Sequence, residues 1–151
     1  MAADAMAPFG EEFNISPMLT TGIRGPKSII EEYDVYGFTV NNVRARGAVL
    51  VFPHHMLLWS PREQHDVTID SLAAVTLAEP QVEMLVIGAG DRMTQQLDPA
   101  LVDYFRKQGT VVELMNTVNA CATFNILNAE DRNVAGALLC PPADDGDLIE
   151  E

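Results

Sequence analysis

Two short, largely apolar runs constrain this 151-residue chain more than anything else in it. Met84-Leu85-Val86-Ile87 and Val111 to Met115 are each too brief for a core helix, and each is followed by a helix-start signal. Runs of that length read as strands buried on both faces. Asp98-Pro99 opens the helix between them, because proline at the first helical position forfeits no hydrogen bond, and Gly109 stands where the helix end needs a positive φ. Leu97, Leu101 and Phe105 fall on one face of that helix. Thr117 is placed to cap a further helix whose apolar stripe carries Ala120, Phe124 and Leu127. Val134 to Leu139 then closes the domain before Pro141 and Pro142. Strand, helix, strand and helix in succession imply parallel neighbours joined by right-handed crossovers.

The first half has a different grain. Gly37 to Arg46 predicts two short strands around the Asn41-Asn42 turn, since asparagine tolerates the positive φ that such a turn demands. Gly47 to Phe52 is a continuous apolar β run ended by Pro53, and Met56-Leu57-Leu58-Trp59 follows before Pro61. Thr68 is placed to cap a helix with Ile69, Leu72, Ala73, Thr76 and Leu77 on its apolar face and Pro80 just beyond it. The expected fold class is therefore α/β: three layers around a mixed β-sheet, with an antiparallel, hairpin-rich N-terminal half and a βαβ-type C-terminal half. Residues 1–28, rich in proline and glycine without helical or strand period, read as an irregular arm. Residues 29–142 read as a single domain, and residues 143–151 as an acidic tail, a solvated terminus.

Charge narrows the partners. Nine basic against 22 acidic side chains give a formal net charge of −13, which repels nucleic acid and anionic membrane surfaces and favours a partner with a basic face. No apolar run approaches the roughly 20 residues that cross a bilayer, so no transmembrane segment is expected. The first thirty residues hold Asp4, Glu11 and Glu12 but only Arg24 and Lys27 as cations, the reverse of an Arg-rich mitochondrial presequence. Either import information precedes this numbering, or the protein stays where it is made.

Few residues invite chemistry. The turn Gly88-Ala89-Gly90-Asp91-Arg92 follows a buried strand, where open α/β sheets hold ligands. With Thr117 and Asn119 at a helix start it forms a candidate anion pocket, although a dinucleotide fingerprint would require a third glycine opening a helix directly. Cys121 near that helix start could be activated by unpaired amides, but alanines on either side suit close packing of a buried thiol. Cys121 and Cys140 have neither metal-ligand spacing nor a Cys-x-x-Cys motif. His54, His55 and His65 include adjacent residues that would point to opposite faces of a strand, so no metal site is expected; His54, His55 and Trp59 are instead candidate partner contacts. No spacing brings two carboxylates across one cleft, and neither a catalytic residue nor a cofactor is expected.

The stretch Asn119-Ala120-Cys121-Ala122-Thr123-Phe124-Asn125 resembles a segment of the mitochondrial complex I assembly factor 3 family, within the domain of unknown function 498/598 superfamily. Gly37-Phe38, Pro53-His54 and Trp59, then Leu77 to Pro80 leading to Val86 to Arg92, then Val134 to Leu138 before Pro141-Pro142, fall in the same order. The resemblance covers roughly Ile29 to Pro142. It implies a three-layer α/β domain that performs no chemistry and serves complex I as an assembly factor or accessory protein, through protein-protein contacts. The implied partners are complex I assembly factor 4 and the quinone-module core subunits, on the matrix side of the inner mitochondrial membrane. The competing expectation is a small anionic-ligand binder or minor enzyme using the Gly88 to Arg92 turn.

Overall fold

The computed structural model describes residues 25–90 and 96–142. Three strands, β1 (Ile30–Asp34), β2 (Gly37–Val40) and β3 (Val43–Arg46), form a small antiparallel sheet. Its second turn is the predicted one: Asn41 and Asn42 have φ of 48° and 69°, the paired left-handed conformation of a two-residue hairpin. Gly37 is required by close approach, because a Cβ there would lie 2.0 Å from the Ala45 carbonyl oxygen across the ladder.

The larger sheet contains β4 (Val49–Phe52), β5 (His55–Leu58), β6 (Met84–Gly88), β7 (Val111–Met115) and β8 (Val134–Leu138), in the order β5-β4-β8-β6-β7. β4 runs antiparallel to β5 and β8, whereas β6 runs parallel to β7 and β8. Helix α1 (Ala73–Thr76) precedes β6, α2 (Pro99–Lys107) joins β6 to β7, and α3 (Thr117–Ala129) joins β7 to β8. The chain moves outward from β6 to β7 and returns past β6 to β8. Right-handed crossovers in opposite directions must lie on opposite faces, which separates α2 from α3.

Alternation along the strands feeds two cores. Leu50, Phe52, Leu85, Ile87, Ala135 and Ala137 meet Leu72, Val75, Leu101 and Phe105 on the α1 and α2 face. Val49, Val51, Val86, Val134 and Leu138 meet Ala120, Phe124, Phe38 and Val40 on the face covered by α3 and the small sheet. The result is the expected three-layer α/β arrangement around a mixed sheet.

Three local expectations are corrected. Val111 to Met115 is not a buried strand but an edge strand with Val111 and Glu113 exposed, because the returning chain takes the other side of β6. The helix expected after Thr68 breaks into a 3-10 turn at Asp70–Leu72 and the single turn of α1, and Leu77 is 76% exposed. Thr68 still closes that turn, since its Oγ accepts from Ser71 N–H at 3.1 Å while Ser71 Oγ accepts from Thr68 N–H at 2.9 Å. Leu72, with φ −106° and ψ 21°, leaves the helical region just after Ser71, whose carbonyl accepts from Trp59 Nε1. Finally, the residue capping α3 is Asn116, whose side chain accepts from Asn119 N–H, and Thr117 is the first helical residue and fully buried.

Candidate functional site

The glycine turn is built to bring β6 and α3 together. A Cβ on Gly88 would lie 3.1 Å from Thr117 Cα, from the Ala120 methyl and from Leu138, so the helix start rests directly on the strand end. Gly90, with φ +86°, donates its N–H to Thr117 Oγ at 2.9 Å and accepts from Thr117 N–H at 2.7 Å. The Thr117 hydroxyl in turn donates to the Leu139 carbonyl at 2.6 Å.

Two of the first amides of α3, those of Thr117 and Asn119, are thus held by Gly90 and Asn116 rather than presented to an incoming anion. The geometry brings Gly88, Gly90 and Thr117 into one network as a structural clasp, with Asn119 beside it. Asp91 and Arg92 lie outside the described residues.

The Asn119 to Asn125 stretch has the same structural character. Ala120 and Phe124 are fully buried, and Cys121 is 2% exposed with its thiol pushed up to about 12 by burial. A thiol so disfavoured as thiolate is a poor nucleophile at neutral pH. Asn125 takes both backbone groups of Ile30, accepting from its N–H at 2.9 Å and donating to its carbonyl at 3.0 Å. Asn128, also buried, donates to the carbonyls of Ser28 and Pro53, both at 3.1 Å. Sequence reasoning overlooked these two clamps. The residue types gave only a hint: asparagine is a weak helix former, yet Asn125 sits inside α3 and Asn128 in its last turn, and nothing local points to their distant partners.

His54 and His55 stand at the head of β5, beside a cleft of about 120 Å³ lined by Phe52, Leu57, Ala78, Pro80 and Val82. His54 Nδ1 lies 2.7 Å from the Gly25 carbonyl, which only accepts, so Nδ1 carries the hydrogen. The His55 ring stacks on Phe52 with centroids 4.7 Å apart, and burial, then the neighbouring His54, pulls its pKa below the ordinary histidine value. Trp59 is only 8% exposed and anchored through Nε1 to the Ser71 carbonyl at 2.7 Å, so its ring belongs to the core. His65 lies on the surface between Glu63 and Asp66. Among the described residues no group of three His, Cys, Asp or Glu side chains is arranged to hold a metal ion.

The free edge of β5 distinguishes itself by its side chains. The other sheet edges carry charges that resist unwanted pairing: Glu31, Glu32 and Asp34 on β1, Arg44 and Arg46 on β3, and Glu113 on β7. β5 reads His-Met-Leu-Leu, with Leu57 42% and Leu58 71% exposed, and among the described residues it pairs only with β4. The apolar run Met56 to Leu58 marked a strand, but nothing local told that it would lie at an edge.

Comparison with known proteins places this geometry among relatives. Residues 30–139 match the family described as a protein of unknown function (DUF498/DUF598). NADH dehydrogenase [ubiquinone] 1 alpha subcomplex assembly factor 3 of Homo sapiens is 41% identical over 113 residues, covering 75% of this chain and 60% of that protein. The proteins of the same name in Danio rerio and Drosophila melanogaster are 40% and 38% identical over 77% and 75% of this chain, and the matches cover 66% and 59% of their lengths. Among solved structures, a Bordetella parapertussis protein superimposes with a TM-score of 0.68 at 32% identity, covering 76% of this chain and 97% of that one. A Bordetella pertussis protein described as a Mth938-like domain gives 0.66 at 27% identity, covering 79% of this chain and 89% of that one.

Proposed function

Because the chain belongs to the DUF498/DUF598 family, and is about 40% identical to proteins named as complex I assembly factor 3, we propose that it assists the assembly of respiratory complex I. Its substrate is an unfinished part of that enzyme, bound through the protein surface and released unchanged. The finer reading places it on the quinone-module intermediate, beside assembly factor 4, on the matrix side of the inner mitochondrial membrane.

The observation that carries a contact mechanism is the charge-free edge of β5. An extended segment of a partner can add a strand there, its main chain pairing with the free ladder positions, while one of its apolar side chains enters the cleft beside Leu57 and Pro80. Basic residues flanking that segment would complement a net charge of −13. Covering such a segment until the next module docks keeps it from aggregating. The occupied amides at the start of α3 favour this reading over an anion site at the Gly88 to Arg92 turn.

Removing the chain from cells tests the role. Native gels should then lose assembled complex I and accumulate partial complexes, and affinity purification of the tagged chain should recover assembly factor 4 and quinone-module subunits. Complex I at normal abundance in its absence overturns the proposal.

A further inference from the structure

Of nine basic residues, Arg24 and Arg92 lie outside the described residues, and five of the remaining seven are paired with carboxylates. Lys27 meets Asp131, Arg44 meets Asp34, Arg106 and Lys107 meet Asp103, and Arg132 meets Glu83. The two left over are Arg46 and Arg62, whose side chains make neither an ion pair nor a hydrogen bond among the described residues. Both line the same concavity, of about 500 Å³, between the small sheet, the segment after β5 and the end of β8.

In a chain with 22 acidic residues, two guanidiniums that line one space and have no carboxylate partner among the described residues suit an anion supplied from outside. Carboxylates stand nearby, at Asp34, Glu63 and Asp66, but among the described residues none forms an ion pair with either guanidinium. The Arg46 guanidinium lies over the Tyr36 ring, 5.7 Å from its centroid, which orients the fork without neutralising it. Asp34 is tied to Arg44 at 2.6 Å and to the amides of Tyr36 and Gly37 at 2.8 and 3.1 Å. Beside Arg62, the Asp66 carboxylate accepts from the N–H groups of Arg62 and Glu63 at 3.5 and 3.3 Å, and the Glu63 carboxylate lies 3.7 Å from His65 Nδ1. Burial, and then the Asp34 charge, push the Cys140 thiol up, so it stays neutral. Ala48 and Pro61 supply buried apolar walls.

We propose that this concavity binds a small organic oxyanion, a phosphate- or carboxylate-bearing molecule bracketed by Arg46 and Arg62, with its body against Ala48, Pro61 and Cys140. The site is separate from the Gly88 to Arg92 turn and from the β5 edge, and stands whether or not the assembly role does.

Calorimetric titration of the full chain at low ionic strength, with inorganic pyrophosphate and separately with citrate, tests it. At least one probe should saturate a single site, and the tighter of the two tells phosphate from carboxylate. Arg46→Ala and Arg62→Ala should each weaken binding about tenfold or more, the worth of a lost charge-assisted hydrogen bond. Arg106→Ala, which removes the same charge where it is already paired, should leave binding unchanged. If an alanine variant fails to melt like the parent, Arg46→Lys or Arg62→Lys replaces it and should weaken binding by losing the two-pronged contact. Failure of both probes to saturate, or equal weakening by Arg106→Ala, overturns the proposal.

Discussion

At the scale of single residues, the stretch that most strongly suggests chemistry turns out to be packing. Cys121 is a core side chain, and its thiol titrates near 9 when unfolded but at about 12 when folded. The neutral thiol therefore favours the folded state fully below pH 9, and this contribution is lost as pH rises toward about 12. Its full size is on the order of 4 kcal/mol for a shift of about three pKa units. The stability difference between the parent and Cys121→Ala, from urea unfolding, should shrink across that alkaline window; a difference independent of pH would contradict the burial. A thiol reagent at neutral pH should modify the half-buried Cys140 well before Cys121 in the folded protein, and both equally in denaturant. That Cys121 is a small hydrophobe was legible from its alanine neighbours. That Asn125 and Asn128 hold the segment around Ser28 and Ile30 was not, because their targets lie 95 to 100 residues away.

Elements were legible wherever local chemistry fixed them. The Asn41-Asn42 hairpin, the Asp98 cap with Pro99 behind it, and Gly109 at φ +92° all follow from residues adjacent in the chain. Position within a sheet is set elsewhere, and here the expectations slipped. Val111 to Met115 is a short β-forming run like Met84 to Ile87 but carries Glu113 at its centre, and β8 pairs with β6 on one side and leaves β7 at the edge. Residue type alone suits Thr117 to the cap, whereas Asn116 takes that place and Thr117 bonds to Gly90 and Leu139. That clasp predicts a specific loss. Thr117→Val keeps the shape but strands the Gly90 N–H, and should cost about 1–3 kcal/mol. Gly88→Ala must push its methyl against Thr117 Cα and should cost about 1–3 kcal/mol through overpacking. Urea unfolding measures both, and a neutral effect of either would mean that α3 does not rest on β6 as described.

For the whole molecule, the division of labour runs between a filled interior and an unevenly protected rim. Both faces of the larger sheet are packed, the glycine turn is clasped, and the charge-free edge lies at β5. Composition pointed to a partner with a basic face, while the place of contact emerged only once strand order was known. If the −13 charge guides the encounter, binding should weaken as salt rises toward and beyond about 0.15 M, where the Debye length is about 8 Å. The decisive measurement is complementation: cells lacking the chain are supplied with either the parent or the Leu57→Lys/Leu58→Lys variant, both matched for abundance and thermal stability. Both leucines are exposed, so the variant should fold, while its lysines blunt the edge. Native gels should show complex I restored by the parent and not by the variant; equal restoration by both would contradict the claim that β5 is the working surface.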